Sequence, residues 1–280
     1  MSTTSSRIPK ISLNDTEEIP QLGFGVFQVP PAETAEVLLR ALTAGYRHID
    51  TAAAYRNEAA VGQAIHASGL QRSEVFVTTK CFNDDHGYEQ AKRALHASLE
   101  RLEMDHVDLY LIHWPVPSHD KYVETWKAFI DMRADGLVRS IGVSNFQPAH
   151  LERIISETGE TPAINQIELH PYFQQRGLRH EHRQLGIVTE AWSPLAQGKV
   201  LDDPVICEIA QSHAKTPGQV VIRWHLQIGN VVIPKSVTPV RIEQNFNVFD
   251  FELSAAELEA IDMLDAGDRI GPNPDTFVRP

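Results

Sequence analysis

Four side chains stand where they could hand a proton to a carbonyl oxygen: Asp50, Tyr55, Lys80 and His113. Each lies at or just beyond the end of a short run rich in β-branched and aromatic residues. The first run ends Arg47-His48-Ile49-Asp50, with Tyr55 in the segment that follows. The second ends Val75-Phe76-Val77-Thr78-Thr79-Lys80, and the third Leu111-Ile112-His113-Trp114-Pro115. A free phenol, with a pKa of ~10, is a sluggish acid near neutrality. A neighbouring ammonium favours the phenolate, so Lys80 is expected to lower the pKa of Tyr55. A buried lysine sheds its own proton unless an anion holds it charged, and Asp50 is available for that task. His113 could hydrogen-bond a carbonyl oxygen and fix its orientation.

Side chains so far apart in sequence need a frame that brings strand ends together. Strand signals fall at residues 22–26, 47–51, 75–79, 107–112, 139–143, 164–167, 187–191 and 231–233. Several, such as 107–112, are mostly apolar rather than alternating, as strands buried on both faces of a parallel sheet are. Amphipathic segments lie between them. Leu95, Leu99 and Leu102, then Val123, Trp126 and Ile130, then Leu258, Ile261 and Leu264 recur at helical spacing. Pro30-Pro31 and Pro148 mark helix starts, and Gly45 and Gly136 mark stops. Eight strand–helix units with no break in composition predict a single α/β domain, residues 1–280, folded as a (β/α)8 TIM barrel. An open doubly wound sheet is the alternative. A short N-terminal hairpin is expected around the turn Asn14-Asp15, and the two-helix stretch 205–228 predicts an extra helix. Residues 2–7 are polar and expected to fray. In a parallel barrel, reactive side chains gather at the C-terminal ends of the strands, where the four candidates stand.

The 280 residues are 42% hydrophobic and 22% charged, with a formal net charge of -12. An acidic surface of this size argues against general nucleic-acid or anionic-membrane binding, though a local basic cluster could still hold an anion. Two cysteines, Cys81 and Cys207, rule out a disulfide framework or a paired metal-ligand spacing. No secretory h-region is visible, and no apolar run approaches the ~18 residues of a membrane span. A soluble cytoplasmic protein with no obligate protein partner is the expectation.

Taken together the motifs resemble the aldo-keto reductase family, in particular bacterial members similar to 2,5-diketo-D-gluconate reductases. The resemblance rests on Asp50-Thr51-Ala52-Ala53-Ala54-Tyr55-Arg56-Asn57-Glu58, on Lys80 after Val-Thr-Thr, and on Leu111-Ile112-His113-Trp114-Pro115. It rests also on Ile141-Gly142-Val143-Ser144-Asn145-Phe146 and on Ile233-Pro234-Lys235-Ser236. It implies a barrel that binds NADP(H) without a Rossmann fold. The single Gly-x-Gly, Gly23-Phe24-Gly25, agrees, because Gln28 stands where the dinucleotide fingerprint needs glycine.

The resemblance also assigns roles. Tyr55 becomes the general acid in carbonyl reduction, Lys80 lowers its pKa, Asp50 pairs with Lys80, and His113 orients the carbonyl. Ser144, Asn145 and Gln166 would bind the nicotinamide carboxamide. Trp192 would stack on the ring, where most members carry Tyr. Ser193, Leu195, Gln197 and Gly198 would lie in the loop crossing the pyrophosphate. Lys235, Ser236 and Arg241 would meet the 2'-phosphate, with Gln244 and Asn245 near the adenine; Gln244 departs from the usual Glu. Two cations beside Ser236 suit a phosphomonoester, which favours NADPH over NADH. Phe27, Phe82 and Trp114 would wall a pocket for a small carbonyl substrate: an aldehyde, a keto-sugar or a dicarbonyl. A tail of only 16 residues after Leu264 suggests an open, tolerant site. The resemblance further implies a monomer.

Neighbouring residues read differently. His48 and His170 are expected to be packing or loop-holding groups, Cys81 an apolar filler, and Trp126 and Trp224 core. Two other functions fit a rim of this kind: a non-catalytic NADPH-binding regulatory subunit, and a metal-dependent barrel hydrolase. For the second, His48-x-Asp50 is a poor ligand pair and Lys80 would repel a divalent cation.

Overall fold

The computed structural model describes residues 8–278; the stretch expected to fray, residues 2–7, lies outside them. The chain enters through an antiparallel hairpin, β1 (Lys10–Ser12) and β2 (Glu18–Pro20). Eight parallel strands follow: β3 (Phe24–Gly25), β4 (His48–Asp50), β5 (Phe76–Cys81), β6 (Val107–Ile112), β7 (Val138–Ser144), β8 (Ile164–Glu168), β9 (Val188–Trp192) and β10 (Val231–Val232). They pair in sequence order from β3 to β10. A parallel bridge between Leu22 and Val232 closes the ring. Around it Val232 N–H donates to Gln21 O (2.9 Å) and Gly23 N–H to Val232 O (2.9 Å). The barrel is therefore the closed form, and every strand end differs from its expected place by no more than two residues.

Helices cover the outside: α1 (Pro31–Ala44), α2 (Glu58–Ala67), α3 (Tyr88–Leu102), α4 (Tyr122–Ala134), α5 (Pro148–Thr158), α6 (Arg176–Leu185), α8 (Pro217–Gln227) and α9 (Pro239–Phe246) each follow a strand. α7 (Pro204–Ser212) is the extra helix foreseen in the 205–228 stretch, and α10 (Ala255–Asp262) is a second. Proline opens α1 and α5, where its missing N–H costs nothing. Gly45 ends α1 at φ 117°, a conformation that a side chain would strain.

Period-two alternation divides each strand between two cores. Outward residues such as Tyr110, stacked on Phe129 of α4 (4.5 Å), join the main core with Trp126 and Trp224. Inward residues Leu109, Leu111, Ile164 and Val231 fill the barrel floor, and the hairpin seals it with Leu13 and Ile19. Close packing there leaves no room at Gly142, where a Cβ would stand 2.8 Å from Leu111 Cδ2 and from Ile164 O. An apolar floor and an inward polar upper layer put the chemistry at the C-terminal mouth.

Candidate active site

The inward residues of the upper layer are His48 and Asp50 on β4, Thr78 and Lys80 on β5, Gln166 and Glu168 on β8, and Glu190 and Trp192 on β9. Lys80 is fully buried. Its ammonium donates to Asp50 Oδ1 (2.6 Å) and to the Thr51 backbone O (2.8 Å), and lies 3.5 Å from the Tyr55 hydroxyl. Tyr55 closes a 3-10 turn, Ala53–Tyr55, directly after β4. Asn57 braces that turn: it accepts from Thr51 Oγ1 (2.8 Å) and donates to Val26 O (3.0 Å). His113, one residue past β6, packs edge-on against Tyr55 (5.7 Å) and Phe82 (5.8 Å). The four candidates thus meet at one mouth.

Their charges follow from burial. Burial alone would strip Lys80 of its proton, but Asp50 and then Tyr55 outweigh it and hold the ammonium above its ordinary value. Burial pushes the Tyr55 phenol up, and Lys80 pulls it down by less. The expected net lowering of Tyr55 is therefore corrected: Lys80 acts in the expected direction, but desolvation in the apolar mouth exceeds it. Burial, then Lys80, drives His113 well below the usual imidazole range, so its ring is neutral. His48 is also neutral, held down to about 3 chiefly by burial. It fills the space that a side chain at Gly23 would need, in keeping with a packing role. His170 accepts its loop-holding role too, with Nε2 3.1 Å from Glu168 Oε1. Cys81 is fully buried.

The cofactor candidates form a shelf beside this cluster. Ser144 Oγ donates to Gln166 O (2.9 Å) and accepts from Asn145 Nδ2 (3.0 Å). Asn145, held at φ 64°, also donates to His113 O (3.0 Å) and accepts from Trp192 Nε1 (2.9 Å). Its amide is largely spent on fixing its neighbours. After β9 the loop turns through left-handed backbone at Ser193, Ala196, Gln197 and Gly198. Leu195, on this loop, and Asn245, near the end of α9, both approach Gly218 at the start of α8. Ser236 is buried and its Oγ accepts from Thr238 N–H (3.1 Å) at the start of α9. Lys235 and Arg241 flank it, exposed, with no salt bridge among the described residues; Gln244 and Asn245 lie along α9. These groups fit a phosphorylated nicotinamide dinucleotide: Gln166 Oε1 has no partner among the described residues, and two uncommitted cations flank a helix N-terminus.

Phe27, Phe82 and Trp114 do line the mouth. Phe27 tilts on Tyr55 (5.0 Å) and is 53% exposed, the position of a rim residue. The tail does not leave the mouth open, as its length suggested. Glu168 accepts from Ile270 N–H (2.6 Å) and Gly271 N–H (2.8 Å), which lays Gly271 against Trp192. Phe277 then packs at a tilt against Trp114, ring centroids 4.4 Å apart. Sequence reasoning missed Glu168, Glu190 and Phe277. The signal for the first two was available: each stands two residues from an inward site residue, Gln166 or Trp192, on the same strand, and so shares its face.

A closed parallel barrel with a Tyr–Lys–Asp–His cluster at its mouth defines a carbonyl-transforming oxidoreductase. Residues 21–266 match the model of the Aldo/keto reductase family, and the chain belongs to that family. It is 58% identical over 269 residues to an aldo-keto reductase of Mycolicibacterium smegmatis, spanning 96% of this chain and 98% of that protein. It is 54% identical over 269 residues to the methylglyoxal reductase DkgA of Escherichia coli, spanning 95% and 97%. The solved aldo-keto reductase of Bombyx mori in complex with NADP is 38% identical, superposes with a TM-score of 0.89, and is matched over 96% of both chains.

Proposed function

We propose that this chain reduces small aldehydes and ketones to alcohols with NADPH, with dicarbonyls such as methylglyoxal among its substrates. The observation that carries the reading is the Tyr55 hydroxyl, 3.5 Å from an ammonium locked on Asp50 and opening on an aromatic mouth. When bound, the dihydronicotinamide supplies the hydride. Tyr55 gives its proton to the carbonyl oxygen, and the Lys80 charge stabilises the phenolate left behind. A neutral His113 offers an N–H to the same oxygen without adding charge. Phe27, Phe82, Trp114 and Phe277 exclude water and select compact or apolar substituents. Ser144, Asn145, Gln166 and Trp192 would hold the nicotinamide end. Ser193, Leu195, Gln197 and Gly198 would hold the pyrophosphate, and Lys235, Ser236, Arg241, Gln244 and Asn245 the adenosine 2'-phosphate end. Kinship with DkgA and with the NADP-bound relative supports both substrate class and cofactor. The same reading takes residues 1–280 as one catalytic domain working as a monomer in the cytoplasm. Among the described residues no helix is long and apolar enough to cross a membrane; sedimentation of the purified chain tests the monomer.

The test is NADPH consumption with methylglyoxal and a panel of small aldehydes, run beside NADH. Turnover that prefers NADPH is expected. Arg241→Ala should weaken NADPH far more than NADH; equal losses would mean that Arg241 does not read the 2'-phosphate. NADPH binding without turnover of any panel member would favour a regulatory subunit instead.

A further inference from the structure

Glu190 is fully buried inside the barrel, and the proton relay described above has no use for it. It projects inward from β9, one pleat below Trp192. The Gln166 amide nitrogen lies between two carboxyl groups, donating to Asp50 Oδ2 (2.7 Å) and to Glu190 Oε2 (2.9 Å). Both amide protons are thereby used. The flipped amide would set its carbonyl oxygen against the same two carboxyl oxygens, and an ionised Asp50 has no proton to offer it. The bridge therefore fixes which end of Gln166 is free: Oε1, which has no partner among the described residues.

From this geometry we propose that Glu190 is a positioning residue for the cofactor: its acceptor oxygen locks the Gln166 amide so that the carbonyl end faces the nicotinamide carboxamide. The inference rests on the NADPH reading above. A carboxamide presents an NH2 and a C=O, so a Gln166 free to rotate would offer the wrong end part of the time. Asp50 bars the flipped amide but takes only one of the two amide protons. Glu190 Oε2 takes the second, which would otherwise be unsatisfied in a buried site, so the amide is pinned at both and does not swing out of this orientation. The charge state of Glu190 suits the role. Burial, with Asp50 nearby, pushes its carboxyl up to about 8, so near neutrality it is chiefly the uncharged acid. With Oε2 accepting from Gln166, the acid's proton belongs on Oε1, on the His48 side, and no second negative charge competes with Asp50 for Lys80. The ionisable groups facing it are Asp50 and His48 from β4, Tyr55 from the turn after β4, and Lys80 from β5; His48 Nε2 is 3.6 Å from Oε1.

The experiment compares two probes by titration of intrinsic tryptophan fluorescence: NADPH, and adenosine 2',5'-bisphosphate, which lacks the nicotinamide half. Glu190→Met keeps the volume and removes the acceptor. It should weaken NADPH by about 3- to 10-fold, the worth of one hydrogen bond, and leave the bisphosphate unchanged. Glu190→Gln restores a neutral acceptor and should bring NADPH affinity back toward wild type. Unchanged NADPH affinity in Glu190→Met would overturn the proposal. So would equal weakening of both probes, the mark of a loosened fold, or failure of Glu190→Gln to rescue. Should Glu190→Met not fold, Glu190→Gln decides alone: loss of NADPH affinity with bisphosphate binding intact overturns the proposal, and retention of both supports it. Wild-type protein that binds NADPH no tighter than the bisphosphate would sink the functional reading itself, before Glu190 is reached.

Discussion

Lys80 holds its charge in a place that would ordinarily deny it one. It is fully buried, and Asp50 at 2.6 Å is its counter-ion. Removing one partner of such a pair leaves an uncompensated charge, which costs about 3–5 kcal/mol. Lys80→Met is therefore expected to lower stability by roughly that amount, measured by denaturant unfolding, and to abolish most turnover. A variant as stable as wild type would show that the pair is solvated in solution. The four mouth residues were legible in the sequence because each carries a reactive side chain at a strand end and their neighbours form recognisable blocks. The net acidity of Tyr55 was not legible, since it depends on how much solvent the fold removes. The inward face of Glu190 was legible from its place two residues before Trp192 on one strand; its partner was not, because Gln166 lies 24 residues away on another strand.

At the scale of elements, the strands were legible because burial on both faces leaves mostly apolar runs, as in β6, where Asp108 is the one charged residue. Helix limits were marked by proline and glycine, whose backbone preferences are local. The tail was misread because what holds it is remote. Glu168 grips Ile270 and Gly271 from 102 and 103 residues away, and nothing in residues 265–278 announces that contact. Once held, the tail places Phe277 on Trp114, making it a wall of the substrate mouth. Phe277→Ala should raise kcat/KM for bulky aldehydes relative to methylglyoxal. An unchanged ratio across the panel would place the tail outside substrate selection.

For the molecule as a whole, the buried polar layer trades stability for chemistry. Glu190 ionises at about 8 in the fold, against 4.5 for an ordinary glutamate. Between those values the unfolded chain has released a proton that the folded chain still holds. This group therefore subtracts stability progressively as pH rises from about 4.5 to about 8. Glu190→Gln removes the penalty, so its gain in Tm over wild type should grow between pH 5 and pH 8 and then level off. A gain of the same size at every pH would mean that Glu190 is already ionised in the fold. The apolar floor contributes no such dependence, since Leu109, Leu111, Ile164 and Val231 carry no ionisable group.

The account turns on Tyr55 as the proton donor. The most direct measurement is single-turnover reduction of methylglyoxal by the NADPH-loaded protein, wild type beside Tyr55→Phe, with NADPH affinity measured on the same samples. Loss of the hydroxyl alone should slow reduction by about 100- to 10,000-fold while NADPH binding stays near wild type. Wild-type reduction rates in Tyr55→Phe would contradict the account and require another acid at the mouth.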